Sequence, residues 1–277
     1  MEHLHKWQGW RPGDYTDKRS IRSKLYATPD RYSLRGEILS RYSSGEPGEI
    51  LKIGLNLLDL QPHELYIDIG TGTGFFANLV YDLMKAPVYA LDLSFGQVAA
   101  GKLRNEYICW LVADAECLPL PDNCFDAASA NFMLYHLSNP KAGLQEIARI
   151  LRNQGKLLVL TKGHNTYAEM DSWYRKALAE MGLIDNGHRD EARLSERNMV
   201  EMLPTSMRID RQVKLETWVE FPDIDTFLSY FASTPRYHYY VSEAGWEKML
   251  GYVAKYAKID GLRTRKIEWA FLIVVSK

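Results

Sequence analysis

Short apolar runs, each next to a polar or acidic residue, recur along the middle of the chain. Three of them end at Asp68, Asp92 and Asp114, a fourth precedes Asn131, and a fifth follows Gly155. Stretches of helical length separate these runs. Because parallel strands need long, usually helical, crossovers, this alternation predicts an α/β fold with a parallel sheet.

The first run leads into three alternating glycines, Gly70, Gly72 and Gly74. Glycine lets the backbone turn tightly and approach a ligand, and a following helix offers unpaired amides to an anionic group. A dinucleotide fingerprint requires glycine where Phe75 stands, which weakens an NAD interpretation. The alternative is a glycine-rich turn between strand and helix that serves only close packing.

Acidic residues end the next two runs. Asp92 lies where a ribose is expected, and its two carboxylate oxygens can accept hydrogen bonds from both ribose hydroxyls. Helix capping is the alternative role, and it is less favoured because Ser94 can already cap the next helix. Asp114 ends the third run, and Asn131 reaches the carboxyl edge of the sheet, where open α/β sheets bind ligands.

The acid-x-Gly-x-Gly-x-Gly pattern resembles motif I of the class I S-adenosylmethionine-dependent methyltransferases. Residues 118–126, Leu-Pro-Leu-Pro-Asp-Asn-Cys-Phe-Asp, resemble the family segment that leads into strand four, and Arg152 to Gly155 resemble its entry into strand five. The resemblance covers residues 64–160 well. The group that the chain resembles includes the enzymes of ubiquinone and menaquinone biosynthesis and many natural-product methyltransferases.

The resemblance implies a Rossmann-like sheet of seven strands in the order 3-2-1-4-5-7-6, with the last strand antiparallel and with helical cap insertions. It also implies S-adenosylmethionine as cofactor. In the family the glycine loop wraps the amino-acid end of the cofactor, and Asp114 with the Ala115 amide would hold the adenine. The implied cofactor-binding residues are Asp68, Gly70, Thr71, Gly72, Gly74, Asp92, Leu93, Asp114, Ala115 and Asn131.

The predicted organisation is an N-terminal lid segment, residues 1–45, and a methyltransferase domain, residues 46–277. Two aromatic-rich insertions, at about 162–211 and 221–258, are expected to form the cap. Their composition is unusual for plain surface loops, and a cap built from them would exclude water from the site.

The aromatic side chains of the N-terminal segment and of the second insertion each have two possible roles. Tyr15, Tyr26 or Tyr32 would either cover the methionine end of the cofactor or anchor a flexible arm. The residues 237–240 follow Pro235 and are expected either to line an acceptor pocket or to pack.

Composition narrows the function. The net charge of −1 argues against a broad nucleic-acid surface. The three cysteines form no C-x-x-C pair and are read as reduced thiols. We see neither an apolar run of membrane-spanning length nor an N-terminal signal, so a cytoplasmic location is expected. The histidine spacing indicates no metal site.

The sequence therefore predicts a methyltransferase that acts on a small, aromatic or apolar acceptor. His136, a few residues after the fourth strand, is the candidate general base, because a neutral imidazole suits proton removal near pH 7. Its alternative role is a hydrogen bond to a neighbouring backbone group. Two other functions stay open: an NAD-dependent oxidoreductase and a non-catalytic module that retains the cofactor fold.

Overall fold

The protein is described by a computed structural model that covers residues 17–20, 30–46, 48–185 and 193–276. Within these ranges the strands are β1 (Tyr66–Ile69), β2 (Val88–Asp92), β3 (Cys109–Val112), β4 (Phe125–Asn131), β5 (Leu151–Lys162), β6 (Met207–Glu220) and β7 (Arg263–Val275). They form one sheet in the order β3-β2-β1-β4-β5-β7-β6. Neighbours among β1 to β5 are parallel, and β7 runs antiparallel between β5 and β6. The predicted fold class and strand order are confirmed.

Helices connect the strands. They are α1 (Lys18–Ser20), α2 (Asp30–Tyr42), α3 (Glu49–Leu58), α4 (Phe75–Met84), α5 (Phe95–Arg104), α6 (Pro140–Ile150), α7 (Ala168–Glu180), α8 (Met199–Met202), α9 (Ile224–Ser233) and α10 (Trp246–Ile259). Side-chain caps begin α5, α6 and α9: Ser94 accepts from the Gln97 amide, Asn139 from the Ala142 amide, and Asp223 from the Thr226 amide. Such caps satisfy amides that the first helical turn leaves unpaired.

The sheet is covered on both faces. One core packs α3 and α4 against the sheet, and the other packs α6 and α8 against the opposite face. Small residues in the central strand β4 allow this close approach from both sides, since Ala127, Ala128 and Ala130 are fully buried. This layered packing leaves the carboxyl ends of β1 to β5 as the edge that is free to form a site.

A third core, the aromatic cap, lies beside that edge. It is built from α2, α7, α9 and α10 and centres on Trp173, Phe227, Tyr237 and Trp246. Their rings pack edge-on or stacked, and each such pair contributes roughly 0.5–1.5 kcal/mol beyond its buried area.

One carboxylate attaches the cap to the sheet. Glu169 on α7 accepts hydrogen bonds from the Arg265 amide at 2.9 Å and from the Thr264 hydroxyl at 3.0 Å, both at the start of β7. Because β7 is antiparallel, its start lies beside the carboxyl end of β5. The cap is thereby held next to the ligand-binding edge.

Three of the four cap helices, α7, α9 and α10, lie in the predicted insertions, whereas α2 belongs to the N-terminal segment. The first, 162–211, contains α7 and α8, and β6 already begins inside it at Met207. The second, 221–258, contains α9 and most of α10. Within the described ranges, no helix has both the length and the apolar character needed to cross a membrane.

Candidate functional site

The glycine loop follows β1, and its three glycines are needed for different reasons. All three have positive φ, at 68° for Gly70, 58° for Gly72 and 79° for Gly74. A Cβ at Gly70 would lie 2.6 Å from the Met133 side chain, and one at Gly74 would collide with Trp110. A Cβ at Gly72 would meet only the tip of Gln97, at 4.0 Å. Gly70 and Gly74 therefore serve packing, whereas Gly72 keeps a space open above the loop.

Asp68 holds this loop from below. Its side chain is buried and accepts hydrogen bonds from the hydroxyls of Thr71, at 2.6 Å, and Ser129. Burial raises the pKa of Asp68 to about 6, although both hydroxyls oppose the rise. The protein itself thus engages both oxygens of this carboxylate. A direct cofactor contact of Asp68 stays a prediction, and the structure gives the residue a supporting position.

Asp92 ties the loop to the end of β2. One carboxylate oxygen accepts from the Gly72 amide and the other from the Ser94 amide, each at 2.8 Å. Burial raises the pKa of Asp92, and hydrogen bonds from the Ser94, Gly72 and Leu93 amides counter part of that rise. An ionised carboxylate offers about four acceptor positions, so Asp92 retains the capacity to accept from a ribose hydroxyl. Leu93 lies half-buried beside it.

The predicted adenine residues lie at the end of β3. One Asp114 oxygen accepts from the Glu116 amide at 3.0 Å, and the other contacts the Lys18 ammonium at 2.6 Å. Ala115, which lies between Asp114 and Glu116 in the chain, is buried. The parallel pairing of β1, β2 and β3 thus brings Asp68, Asp92 and Asp114 to the carboxyl side of the sheet, and their contacts with a cofactor stay a prediction.

Asn131 ends β4 at the same edge. Both polar atoms of its amide are buried, and neither has a hydrogen-bond partner among the described residues. Buried polar groups are nearly always paired, so an amide like this calls for an additional partner. The next residue, Phe132, has a φ of 54°, a left-handed conformation that is costly for a bulky side chain. Strain of this kind is concentrated at ligand sites.

The sequence of this region matches a known family. The family profile described as Methyltransferase domain matches residues 67–159, from β1 into β5. Demethylmenaquinone methyltransferase of Renibacterium salmoninarum is 30% identical over 148 residues, which are 53% of this chain and 61% of that protein. The protein of the same name from Mycobacterium bovis is 31% identical over 168 residues, 58% of this chain and 67% of that protein. This chain belongs to the class I S-adenosylmethionine-dependent methyltransferases.

Solved structures agree on the fold of this methyltransferase. The [4+2]-cyclase SpnF covers 92% of this chain and 96% of its own, with a TM-score of 0.57 and 19% identity. The YcgJ protein of Bacillus subtilis covers 83% of this chain and 99% of its own, with a TM-score of 0.55 and 14% identity. At these identities the likeness shows the fold alone. The chain also spans only about three-fifths of the first curated relative, 61% of its length.

S-adenosylmethionine, the methyl donor of this family, fits the residues of the methyltransferase edge on two observations. Gly72 leaves space where a side chain would intrude, and Asn131 presents a buried donor and a buried acceptor without partners among the described residues. In addition, α4 begins directly after the loop with no acidic residue in its first turn, and a helix N-terminus favours an anionic group. Of its first amides, that of Ala77 is already hydrogen-bonded to Asp68.

His136 lies in a 3₁₀ helix, Leu134–His136, just beyond β4. Its side chain is buried, and its ring centroid is 4.6 Å from that of Tyr135. His136 lies a few residues after the predicted cofactor residue Asn131 in the sequence. Its role as a base stays a prediction.

The aromatic cluster after Pro235 is explained in part by packing. Residues Pro235–His238 form a buried 3₁₀ helix, in which Tyr237 stacks on Phe231 with ring centroids 4.3 Å apart. His238 stacks on Trp246, and its Nε2 lies 2.6 Å from the Ala232 carbonyl oxygen. Packing therefore accounts for Tyr237 and His238, and an acceptor-lining role for Tyr239 and Tyr240 stays a prediction.

The lid prediction is only partly covered by the structure. Tyr15 and Tyr26 lie outside the described residues, and so does the side chain of Tyr32. The described part of that segment contains α2, which packs into the aromatic cap through Ile38. It also contains Lys18, whose contact with Asp114 the sequence analysis missed, because no periodicity or motif marks that stretch.

Proposed function

We propose that this protein transfers a methyl group from S-adenosylmethionine to a small, apolar or aromatic acceptor. The observation that carries the proposal is the bare backbone at Gly72, whose amide is held by the Asp92 carboxylate at 2.8 Å and whose outer side is open. That arrangement joins space for a ligand to a carboxylate suited to ribose hydroxyls. The sequence match to methyltransferases over residues 67–159 supports it.

The donor would be held by three strand ends. Gly70 to Gly74 and the start of α4 would enclose the amino-acid portion, Asp92 would accept from the ribose, and Asp114 with the Ala115 amide would bind the adenine. When bound, S-adenosylmethionine supplies a methyl group that its positive sulfur already activates. The protein's main task is alignment, and holding two reactants in attack geometry contributes about 7–11 kcal/mol.

The acceptor class is proposed from the relatives and the cap. Two relatives are named for demethylmenaquinone, an apolar quinone, and the aromatic cap lies beside the carboxyl edge of the sheet. We therefore propose a planar, apolar acceptor, with a reduced naphthoquinone as the first compound to test. The three cysteines are free thiols, which suits the proposed reducing cytoplasm.

Where the acceptor must lose a proton, we propose His136 as the group that receives it. His136 follows β4, a few residues after the predicted cofactor residue Asn131, and an imidazole in general titrates near neutral pH. His136→Ala should then lower turnover without changing the affinity for S-adenosylhomocysteine. A pH–rate profile that is the same in both proteins would remove His136 from the mechanism.

Cofactor binding is tested separately from methyl transfer, because one protein of similar fold, SpnF, is a [4+2]-cyclase. We expect S-adenosylhomocysteine to raise the melting temperature and to give a one-to-one calorimetric isotherm, while NADH leaves the melting temperature unchanged. A stabilising effect of NADH alone would instead favour the oxidoreductase.

Transfer is then measured with methyl-labelled S-adenosylmethionine and a panel of reduced naphthoquinones, benzoquinones and phenols. Label should move into the organic extract with at least one planar acceptor, and heat-treated protein provides the blank. Binding without transfer to any compound of the panel would favour the non-catalytic module.

A further inference from the structure

Lys18, in the short helix α1, contacts two carboxylates at the predicted adenine end of the site. Its ammonium lies 2.6 Å from Asp114 Oδ2 and 3.2 Å from Glu116 Oε2. These contacts join residues that are almost a hundred positions apart in the sequence. They bring the N-terminal segment to the end of β3.

The local sequence presents Lys18 in this position. Asp17 accepts a hydrogen bond from the Ser20 amide at 2.7 Å and so closes the turn that carries the lysine. Ser20 is buried, which anchors the other end of the turn against the protein. Because both ends are held, the lysine side chain has a defined origin.

Glu116 connects this contact to a third part of the edge. Its other oxygen, Oε1, accepts from the Ser138 amide at 2.6 Å and from the Asn139 amide at 3.3 Å. Asn139 is the N-cap of α6. One carboxylate thus holds together the turn at Lys18, the end of β3 and the segment that follows β4.

The lysine leaves room for adenine on Asp114. An ionised carboxylate offers about four acceptor positions. The Glu116 amide occupies one on Oδ1, and Lys18 occupies one on Oδ2. Each oxygen therefore keeps a position for an amino-group hydrogen, so the ammonium fixes the rotation of the carboxylate without displacing the ligand.

We propose that Lys18 is a positioning residue of the adenosine subsite, which orients the Asp114 carboxylate toward the 6-amino group of adenine. The inference rests on the proposed function, because it takes Asp114 as the adenine partner. It assigns to the N-terminal segment a specific task in cofactor recognition beyond covering the site. The contact is partly exposed, with 39% of the Lys18 side chain accessible, so salt will weaken it.

The test measures the affinity of the full chain for S-adenosylhomocysteine by calorimetry, at low and at high salt. Lys18→Met keeps the apolar stem but removes the charge, and Lys18→Arg keeps the charge. We expect the methionine variant to bind roughly three- to tenfold more weakly and with a smaller salt dependence, and the arginine variant to recover most of the affinity.

A matched control is Lys52→Met. Lys52 lies on α3, forms an exposed ion pair with Glu46 at 3.7 Å, and is not among the predicted cofactor-binding residues. Lys52→Met should leave the affinity for S-adenosylhomocysteine, and the salt dependence of that affinity, unchanged. Equal melting temperatures of all variants without ligand establish that the comparison concerns folded protein.

A second ligand separates positioning from simple covering. S-inosylhomocysteine carries a carbonyl oxygen in place of the 6-amino group, so it cannot donate to Asp114 from that position. If Lys18 orients Asp114, Lys18→Met should weaken S-adenosylhomocysteine much more than S-inosylhomocysteine. Equal losses for the two ligands, no loss, or tighter binding would overturn the inference.

In steady-state kinetics, we expect Lys18→Met to raise the KM for S-adenosylmethionine and to retain the kcat of the wild type. Failure of the two hypotheses is distinguishable. If wild-type protein does not bind S-adenosylhomocysteine at all, the proposed function fails. If wild type binds and Lys18→Met binds equally well, the proposed function stands and only the inference fails.

Discussion

The cofactor edge and the aromatic cap both bury polar side chains, but they satisfy them differently. In the cap, Arg236 and Asp171 form an ion pair at 2.8 Å, with both side chains almost fully buried. Tyr237 donates to Asp171 at 3.0 Å and accepts from Arg236 at 3.0 Å. At the edge, the Asn131 amide is buried without a partner among the described residues, and Asp92 keeps accepting capacity.

This difference separates a core from a site. Polar groups that bond to one another in an apolar surrounding, as Arg236, Asp171 and Tyr237 do, stabilise one arrangement of the chain, since each member depends on the others. Groups whose partners are incomplete cost stability in the free protein and gain it back when a ligand arrives. The same contrast makes opposite predictions for substitutions in the two regions.

The largest expected effect is on stability and lies in the cap. Arg236→Met leaves Asp171 as a buried charge without its ion-pair partner, and breaking a buried pair costs about 3–5 kcal/mol. Urea unfolding should show this loss, while the affinity of the folded protein for S-adenosylhomocysteine is retained. Arg41→Met, which breaks an exposed pair with Glu37, should change stability by less than about 1 kcal/mol. Equal effects of the two substitutions would contradict the contrast.

The largest effect on binding is expected at Gly72. Gly72→Val places a branched side chain in the open space above the loop, so S-adenosylhomocysteine should bind at least about a hundredfold more weakly, or about 2.7 kcal/mol. Gly182→Val is the matched control, because Gly182 also has positive φ, at 70°, with nothing within 4 Å of its Cβ position. Both variants should lose similar stability, and calorimetry should find the binding loss only at Gly72.

Asp92→Ala should weaken S-adenosylhomocysteine binding by roughly tenfold or more, because it removes charge-assisted hydrogen bonds to the ribose. Asp82→Ala breaks an exposed pair with Lys85 and should leave the affinity unchanged. Unchanged calorimetric affinity in Asp92→Ala, with the protein still folded, would refute the ribose assignment.

Asp68 gives the edge a characteristic pH dependence. Its pKa of about 6 exceeds the usual value of 3.8, so the folded protein binds this proton more readily than the unfolded chain. The contribution of Asp68 to stability is therefore most favourable below about pH 4 and is lost as the pH rises through 6.

Asp68→Asn removes that dependence. The free energy of unfolding of wild type relative to Asp68→Asn should fall by about 1–2 kcal/mol between pH 4.5 and pH 6.5. Urea titrations at the two pH values check this difference. A constant difference would show that the buried carboxylate does not titrate in this range.

The smallest expected effect is at Asn131, and it tests the contrast most directly. Because the amide atoms have no partner among the described residues, Asn131→Ala should leave the melting temperature of the free protein unchanged or raise it. It should also weaken S-adenosylhomocysteine by about fivefold, the equivalent of one neutral hydrogen bond. A clear loss of thermal stability would place Asn131 with the cap network instead.

Sequence patterns predicted the parts of this molecule that local chemistry specifies. Glycine spacing after an apolar run located the loop, and Ser94 was correctly expected to cap its helix. The strand order was predicted from the resemblance, and the observed sheet confirms it. The family match itself covers residues 67–159, from β1 into β5.

Contacts between distant residues were not predictable in this way. Asp68 pairs with Ser129, 61 positions later, and nothing in the run around either residue signals that partner. Tyr237 likewise looked available for an acceptor pocket until its contacts with Phe231 and Asp171 were seen. Packing partners of this kind are set by the tertiary fold, which no periodicity encodes.

The place of β7 in the sheet also sets the order in which the protein can be completed. β6 has 14 residues, and its neighbour in the sheet is β7, which follows it in the chain. Apart from an isolated bridge between Val219 and Ser43, β6 has no other strand partner among the described residues. During synthesis, neither β6 nor the outer side of β5 finds its neighbour until β7 has emerged. Loss of β7 would expose two unpaired strand edges at once, so truncation there should produce aggregation rather than a smaller folded domain.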